Sequence, residues 1–275
     1  MGEAREEPVV DLRLDRAHSA RIYDWLLGGR THFAADREAG RQILSAFPAA
    51  GEACRMNREF MHRAVAHLAR EGLTQFLDIG TGIPTSPNLH EIVQGISPAA
   101  RVVYTDNDPV VLAHAAALLR GRPEGRTAYV QADVTVAGSV MEAPQLHATL
   151  DLRRPVALTL NALLHFVPDD GRDRAHAIVE DLKAALPGGS ALVITHGTSD
   201  FSPLAMSRVG DVYARAAGAP LQLRGAAEFR RFFDGWELLE PGVTLAHRWR
   251  PDRPGEPGRP TAAEAVCYAA IARKP

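Results

Sequence analysis

Lysine is nearly absent from this chain of 275 residues: of 31 basic residues only Lys183 and Lys274 are lysine, and the rest are arginine. With the abundant alanine, that is the codon bias of a high-GC genome more than a physical demand. Neither sign of charge is in excess. The formal net charge of −2 gives no reason to expect a nucleic-acid partner through bulk electrostatics. Cysteine is equally scarce. Cys54 and Cys267 lie far apart and match no ligand spacing. They read as reduced, partly buried thiols of a cytoplasmic protein, although Cys54 precedes a basic segment that could activate it. No stretch approaches the roughly 20 consecutive apolar residues that cross a bilayer. The N-terminus begins with acids and has no apolar leader segment. Repeats and low-complexity tracts are missing, and the histidines show no metal spacing. Asp106-x-Asp108 is better explained by a strand-end acid and a helix cap than by a metal pair. The expectation is a soluble cytoplasmic protein without a metal, a membrane or a nucleic acid.

What is present suits an α/β chain. Hydrophobic content of 46% and charged content of 23% are ordinary for a globular protein that buries a large core unaided. The length fits one generous α/β domain, or a core with an added helical piece. Residues 1–16 are polar and irregular, a lead-in. Three helices are expected next: Ala17 to about Gly28, closed by Gly28-Gly29; Asp36 to Phe47, ended before Pro48; and Glu52 to Glu71, ended by Gly72. They precede the first strand, so residues 1–72 are read as a helical cap over one end of a sheet and 73–275 as the core. From Gln75 onward strand and helix patterns alternate, with strands at 75–80, 101–106, 127–132, 155–161 and 190–196. Helices are expected between them, one at about 138–149. Such alternation means a parallel sheet with right-handed crossovers. Helices near 203–217 and 225–233 and strands near 236–247 and 265–273 complete the chain. Between those two strands, residues 250–260 hold four prolines and read as a surface loop.

The segment Phe76-Leu77-Asp78-Ile79-Gly80-Thr81-Gly82 carries the most information. An apolar run ends in an acid, and two glycines follow one residue apart. A parallel strand reads this way when it delivers a tight turn to a nucleotide, with backbone N–H groups free to approach it. Dinucleotide sites share Gly-x-Gly, so a nicotinamide cofactor is one reading. Asp78 argues against it, because a pyrophosphate beside the turn does not want a carboxylate. The ammonium and sulfonium of S-adenosylmethionine (SAM) do. Arg101–Asp106 is a second strand-like run ending in an acid, placed where a carboxylate can accept both ribose hydroxyls. A third, Thr127–Ala132, is closed by Asp133, which can reach the exocyclic amine of adenine. One acid alone is an ordinary solvated strand end. Three in register, with the glycine turn on the first, point to one adenosyl ligand.

These features resemble a specific family, the SAM-dependent methyltransferases of high-GC actinobacteria long catalogued as a domain of unknown function. The resemblance runs from about Ala17 to Pro275. Its segments are Arg21-Ile22-Tyr23-Asp24-Trp25-Leu26-Leu27-Gly28-Gly29, Phe33-Ala34-Ala35-Asp36-Arg37-Glu38, Asn57-Arg58-Glu59-Phe60, Phe76 to Thr85, Val103 to Val111, and Leu164-His165-Phe166-Val167-Pro168-Asp169. There are departures. Arg30-Thr31-His32 stands where the family usually has Lys-Asp-Asn, and Tyr268-Ala269-Ala270 where it tends to have Tyr-Gly-Gly. Pro84 replaces the third glycine of many methyltransferases, in a position where its missing N–H costs nothing.

The resemblance implies a class I methyltransferase fold. This is a Rossmann-like α/β fold with a seven-stranded, mostly parallel sheet, an antiparallel last strand and an N-terminal helical cap. It implies SAM as cofactor. Gly80 and Gly82 would allow close approach of its methionine part, Asp78 would face the ammonium, and Asp106 would hold the ribose. Asn107 would pack on adenine, while Asp133 takes the adenine amine and the Val134 N–H a ring nitrogen. Asn161 would line the methyl-transfer site. Arg58 either binds the methionine carboxylate or salt-bridges on its helix. Tyr23, His32, Phe33, His165 and His196 are the substrate-side candidates. His165 follows the fourth strand, where a neutral imidazole could take a proton from a hydroxyl; the bland reading is a core histidine. The cap, the near-neutral charge and the lack of an Asn/Asp-Pro-Pro-Tyr/Phe segment favour a small-molecule acceptor, methylated at oxygen or nitrogen. A SAM-binding sensor without turnover is the alternative.

Overall fold

A computed structural model describes residues 15–118, 121–251 and 260–275. Most of the expected lead-in (1–14) and of the proline-rich loop (252–259) lies outside the described residues. Helices α1 (Ser19–Leu26), α2 (Ala34–Ala46) and α3 (Ala50–Arg70) come first. The alternating core follows as β1 (Gln75–Ile79), α4 (Leu89–Ile96), β2 (Arg101–Asp106), α5 (Pro109–Leu118), β3 (Arg126–Gln131), α6 (Pro144–Thr149), β4 (Ala157–Asn161), α7 (Arg174–Ala184) and β5 (Ala191–Gly197). The chain ends with α8 (Pro203–Ala217), α9 (Ala226–Arg231), β6 (Glu237–Leu238), β7 (Thr244–Leu245), α10 (Ala262–Ala265) and β8 (Cys267–Arg273).

Strand order is β3-β2-β1-β4-β5-β8-β6, with β7 also pairing β8. β1 to β5 pair in parallel, and β8 runs antiparallel to β5. The single strand expected at 236–247 is broken in two. Glu237 pairs with Arg273 in β6, and Thr244 with Ala269 in β7. Between them Pro241 has no N–H for the ladder. The Gly242 N–H instead closes a turn onto the Leu239 carbonyl at 2.8 Å. Both fragments lie along one edge of β8, so the sheet is seven positions wide with an antiparallel last strand, as the resemblance implied. The helix expected at 138–149 is shorter for a similar reason. Gly138 adopts a left-handed φ of +76°, and Pro144 stands at the first turn of α6, where the lost donor is harmless.

Because side chains alternate along a strand, each strand feeds two cores. Leu77, Ile79, Leu158 and Leu160 face one side with α6, α7 and α9. Phe76, Val102, Ala157 and Val193 face the other, against Phe60, Val65 and Leu68 of α3 and Leu89 and Val93 of α4. Asp78 falls on the second face by parity, beneath α3. A third apolar cluster joins α1 and α2 to α8 through Ile22, Leu26, Ile43, Phe47, Met206, Val209 and Tyr213. The helical layer above the strand tips is therefore built from both ends of the chain. Among the described residues no helix is long and apolar enough to cross a membrane.

Candidate active site

The strand order reverses between β1 and β4, which in an open parallel sheet leaves a crevice at the carboxyl ends of those strands. A cavity of about 400 Å³ lies there, within the size range of small-molecule sites. Asp78, Gly80 and Gly82 reach it from β1 and its turn, Asp106 and Asn107 from the end of β2, and Asp133 and Val134 from beyond β3. Asn161 reaches it from the end of β4, Arg58 and Tyr23 from α3 and α1, and His165 from the segment after β4.

The β1–β4 register places Asp78 beside Thr159, whose hydroxyl donates to Asp78 Oδ1. Burial nevertheless pushes the Asp78 carboxyl up to about 6; hydrogen bonds from Thr159 and Thr81 and the charge of Arg58 act against that rise. The Asp106 carboxylate ties the site together. Its Oδ2 accepts the Gly82 N–H at 2.8 Å and its Oδ1 the Asp108 N–H at 2.9 Å. Burial raises its pKa, and those two N–H groups oppose the rise. At Asp133 burial also pulls upward, but the Thr135 hydroxyl and N–H, with Asn107, outweigh it and hold the acid below its ordinary value. Thr135 Oγ1 donates to Asp133 Oδ1 at 2.7 Å, and Asn107 Nδ2 reaches Oδ2 at 3.5 Å.

Both turn glycines have positive φ, +72° at Gly80 and +67° at Gly82, which costs other residues energy. Their surroundings differ. A Cβ on Gly80 would stand 2.8 Å from Leu163 Cδ1, whereas one on Gly82 would meet nothing within 4 Å. Gly80 lets the turn pack on the segment after β4, and Gly82 leaves its side open to the cavity. Among the described residues Arg58 forms no ion pair on its helix. Its Nη2 donates to the Thr85 carbonyl at 2.5 Å and the Pro87 carbonyl at 3.0 Å, fastening the loop after the glycine turn. At the β4 end, Ala162 has a φ of +52°, a strained value of the kind that collects at functional sites. Beside it, both amide atoms of Asn161 are buried without a hydrogen-bond partner among the described residues.

His165 lines the cavity, with one ring nitrogen already engaged. Its Nδ1 accepts the Gly197 N–H at 3.3 Å, so a neutral ring carries its proton on Nε2 and presents a donor. Burial and the nearby Arg224 push its pKa down to about 4, which makes it a weak proton acceptor at neutral pH. Three other sequence candidates do not line the cavity. His196 is fully buried, its Nδ1–H donating to the Gly197 carbonyl at 2.7 Å and its Nε2 accepting from Arg224 at 3.0 Å. Burial holds its pKa well below the usual histidine value. His32 is held by Asp24, with Nδ1 at 3.0 Å from Oδ2. Phe33 starts α2, its N–H donating to Asp36 at 2.7 Å while its ring lies under the Arg21 guanidinium at 5.4 Å. Asp24 and Asp36 thus organise the turn between α1 and α2, which accounts structurally for the distinctive segments around them. Tyr23 does line the cavity, but its hydroxyl is engaged: it donates to the Cys54 carbonyl at 3.0 Å and accepts from Asn57 at 2.9 Å.

Thr159, Leu163 and Arg224 are site-building residues that no sequence motif marks. Arg224 is almost fully buried and donates to the Leu164 and Val167 carbonyls and to Asp169, bracing the short turn that carries His165. The cavity wall supplied by Met206, Val209 and Tyr213 was equally hidden, because apolar residues at helical spacing look like ordinary core.

A family model described as S-adenosyl methyltransferase matches residues 5–275. The chain belongs to that family. A solved DUF574 family protein of Streptomyces avermitilis is 50% identical, with a TM-score of 0.92, covering 96% of this chain and 100% of that one. A methyltransferase-like protein of Thermobifida fusca is 35% identical with a TM-score of 0.87, covering 97% of this chain and 98% of the other. In fold alone the chain is similar to the plantazolicin methyltransferase BpumL, solved with S-adenosylhomocysteine (SAH), at 12% identity, a TM-score of 0.50 and 93% and 95% coverage. No curated protein matches it. The S-adenosyl methyltransferase described here is therefore a SAM-dependent enzyme of class I fold. Its residues fit that cofactor: a half-buried carboxylate at the strand tip awaits a cation, Gly82 opens toward the space, and the Asn161 amide has no partner among the described residues.

Proposed function

We propose that this methyltransferase carries the methyl group of SAM to an oxygen or nitrogen of a small molecule held between the strand tips and the helices above them. The observation that carries the reading is the continuity of one cavity. It reaches from Asp106 and Asp133 to Leu26, Phe47, Met206 and Tyr213. Asp78 would hold the ammonium of the cofactor, and Asp106 would accept from the ribose with the lone pairs its two N–H partners leave free. Asp133 and the Val134 N–H would take adenine, with Asn107 packed beside it. Arg58, anchored on the loop at 85–87, would turn its remaining donors to the carboxylate. When bound, SAM supplies a methyl group already activated by the sulfonium. The protein's share is to align the acceptor and exclude water. Residues 1–72 supply much of the acceptor side, and the 73–275 core the cofactor side.

The engaged Nδ1 of His165 favours keeping a second reading, a SAM-binding sensor without turnover. Calorimetry with SAH tests what both readings share. Wild type should bind, and Asp106→Ala should weaken binding by about 30-fold or more, the scale of lost charge-assisted hydrogen bonds. Equal binding by both proteins would refute the site. Sustained transfer of label from methyl-labelled SAM to an extract component would then exclude the pure sensor; none across extracts would favour it.

A further inference from the structure

We infer that the acceptor is an uncharged, hydrocarbon-rich molecule with a single polar end, and that Asn161 and His165 read that end. This rests on the methyltransferase reading and narrows its substrate class. The cavity has two unlike halves. Its acids belong to the strand tips, and Arg58 of α3 and His18 at the start of α1 stand beside them. The other half is walled by Leu26, Ile43, Phe47, Met206, Val209 and Leu223.

The polar groups in that second half carry no charge. Burial raises the Tyr23 and Tyr213 hydroxyls far above their ordinary range and pushes the Cys54 and Cys267 thiols up to about 12. The Tyr23 hydroxyl is also spent on Cys54 and Asn57. Among the described residues, an acceptor carboxylate or phosphate would find no cation against this wall, and an ammonium no carboxylate. An unpaired charge buried there would be strongly disfavoured.

Polar recognition is concentrated at the junction of the halves. Asn161 offers a buried amide whose Nδ2 and Oδ1 have no partner among the described residues. His165, with Nδ1 accepting from Gly197, has its Nε2–H left for the cavity. One amide and one ring donor suit one hydroxyl, amine or carbonyl on an otherwise apolar body. That arrangement also leaves the far wall to select by shape.

The test uses the full chain loaded with SAH, and 2-naphthol and 2-naphthoate as probes of matched shape and different charge. Titration calorimetry should show 2-naphthol bound at least about tenfold more tightly than 2-naphthoate. Val209→Phe, which fills the apolar half, should weaken 2-naphthol by about tenfold while SAH binding stays within about twofold. Leu223→Arg, which adds a cation, should reverse the preference toward 2-naphthoate. Retained SAH binding in each variant shows that the fold and the cofactor side are intact. Equal affinity for the two probes, no binding of 2-naphthol below about 1 mM, an unaffected Val209→Phe, or displacement of SAH by 2-naphthol would each overturn the inference. Failure of wild type to bind SAH would instead sink the methyltransferase reading itself.

Discussion

Replacing Asp78 with asparagine should stabilise the free protein while destroying its hold on the cofactor. Burial keeps this carboxyl at about 6 against an unperturbed 3.8. A difference of about two pH units is worth about 3 kcal/mol against the ionised folded form. The side chain is only half-buried and lines the cavity, so about 1–3 kcal/mol is the expected gain. Asparagine keeps a carbonyl to accept from the Thr159 hydroxyl, so that hydrogen bond need not be lost. The pH dependence separates this cause from generic stabilisation. An acid whose folded pKa is raised favours the fold only while it is protonated. Its penalty is absent below about pH 4, grows as pH rises toward 6, and is full above it. Thermal unfolding of both proteins without cofactor should therefore show the variant ahead at about pH 8, by about 2–4 °C per kcal/mol. The two should converge at about pH 4. Adding SAM should raise the melting temperature of wild type and leave the variant nearly unmoved. A variant less stable than wild type at pH 8, or a difference that ignores pH, would show that Asp78 is not a desolvated carboxylate awaiting a cation.

Other substitutions separate the parts of the site. Gly80→Ala should cost about 1–3 kcal/mol in urea unfolding, because its Cβ meets Leu163 at 2.8 Å in a left-handed backbone. Gly82→Ala has open space and should lose less stability but still weaken SAH binding, since its methyl enters the cavity; equal unfolding costs would undo that distinction. Arg224→Leu should destabilise by about 3–5 kcal/mol, because Asp169 loses its buried partner and two carbonyls lose a donor. Denaturant midpoints unchanged from wild type would contradict the bracing role. Once a turnover assay exists, His165→Gln should lower the rate without altering its pH profile, and by less than the 10²- to 10⁴-fold, roughly, of a lost general base. Loss of a basic limb in that profile would restore His165 as the base.

The strand-tip side of the cavity was legible because it is local in sequence. A parallel strand must end where its ligand begins, so Asp78, Asp106 and Asp133 each announce a tip, and the glycine turn announces which strand is first. The sheet width followed from counting alternating elements, although Pro241 split one of them. What stayed hidden depends on contacts distant along the chain. Thr159 acquires its meaning only from the register that sets it beside Asp78. The donor character of His165 depends on the N–H of Gly197, 32 residues away. His32 and Phe33 stood in a suggestive place after the paired glycines, yet Asp24 and Asp36 claim them for the turn between α1 and α2. The apolar wall came from α8, whose spacing is that of any amphipathic helix. No periodicity distinguishes a face that packs on protein from one that packs on a substrate.

A crystal structure of the protein with SAH bound tests the central claim most directly. The expected result is one ligand with its ammonium within hydrogen-bond reach of Asp78, its ribose on Asp106, its adenine beside Asp133 and Val134, and its sulfur facing the chamber walled by Met206 and Val209. Density for the ligand away from these strand tips, or a sulfur turned outward to bulk solvent, would contradict it.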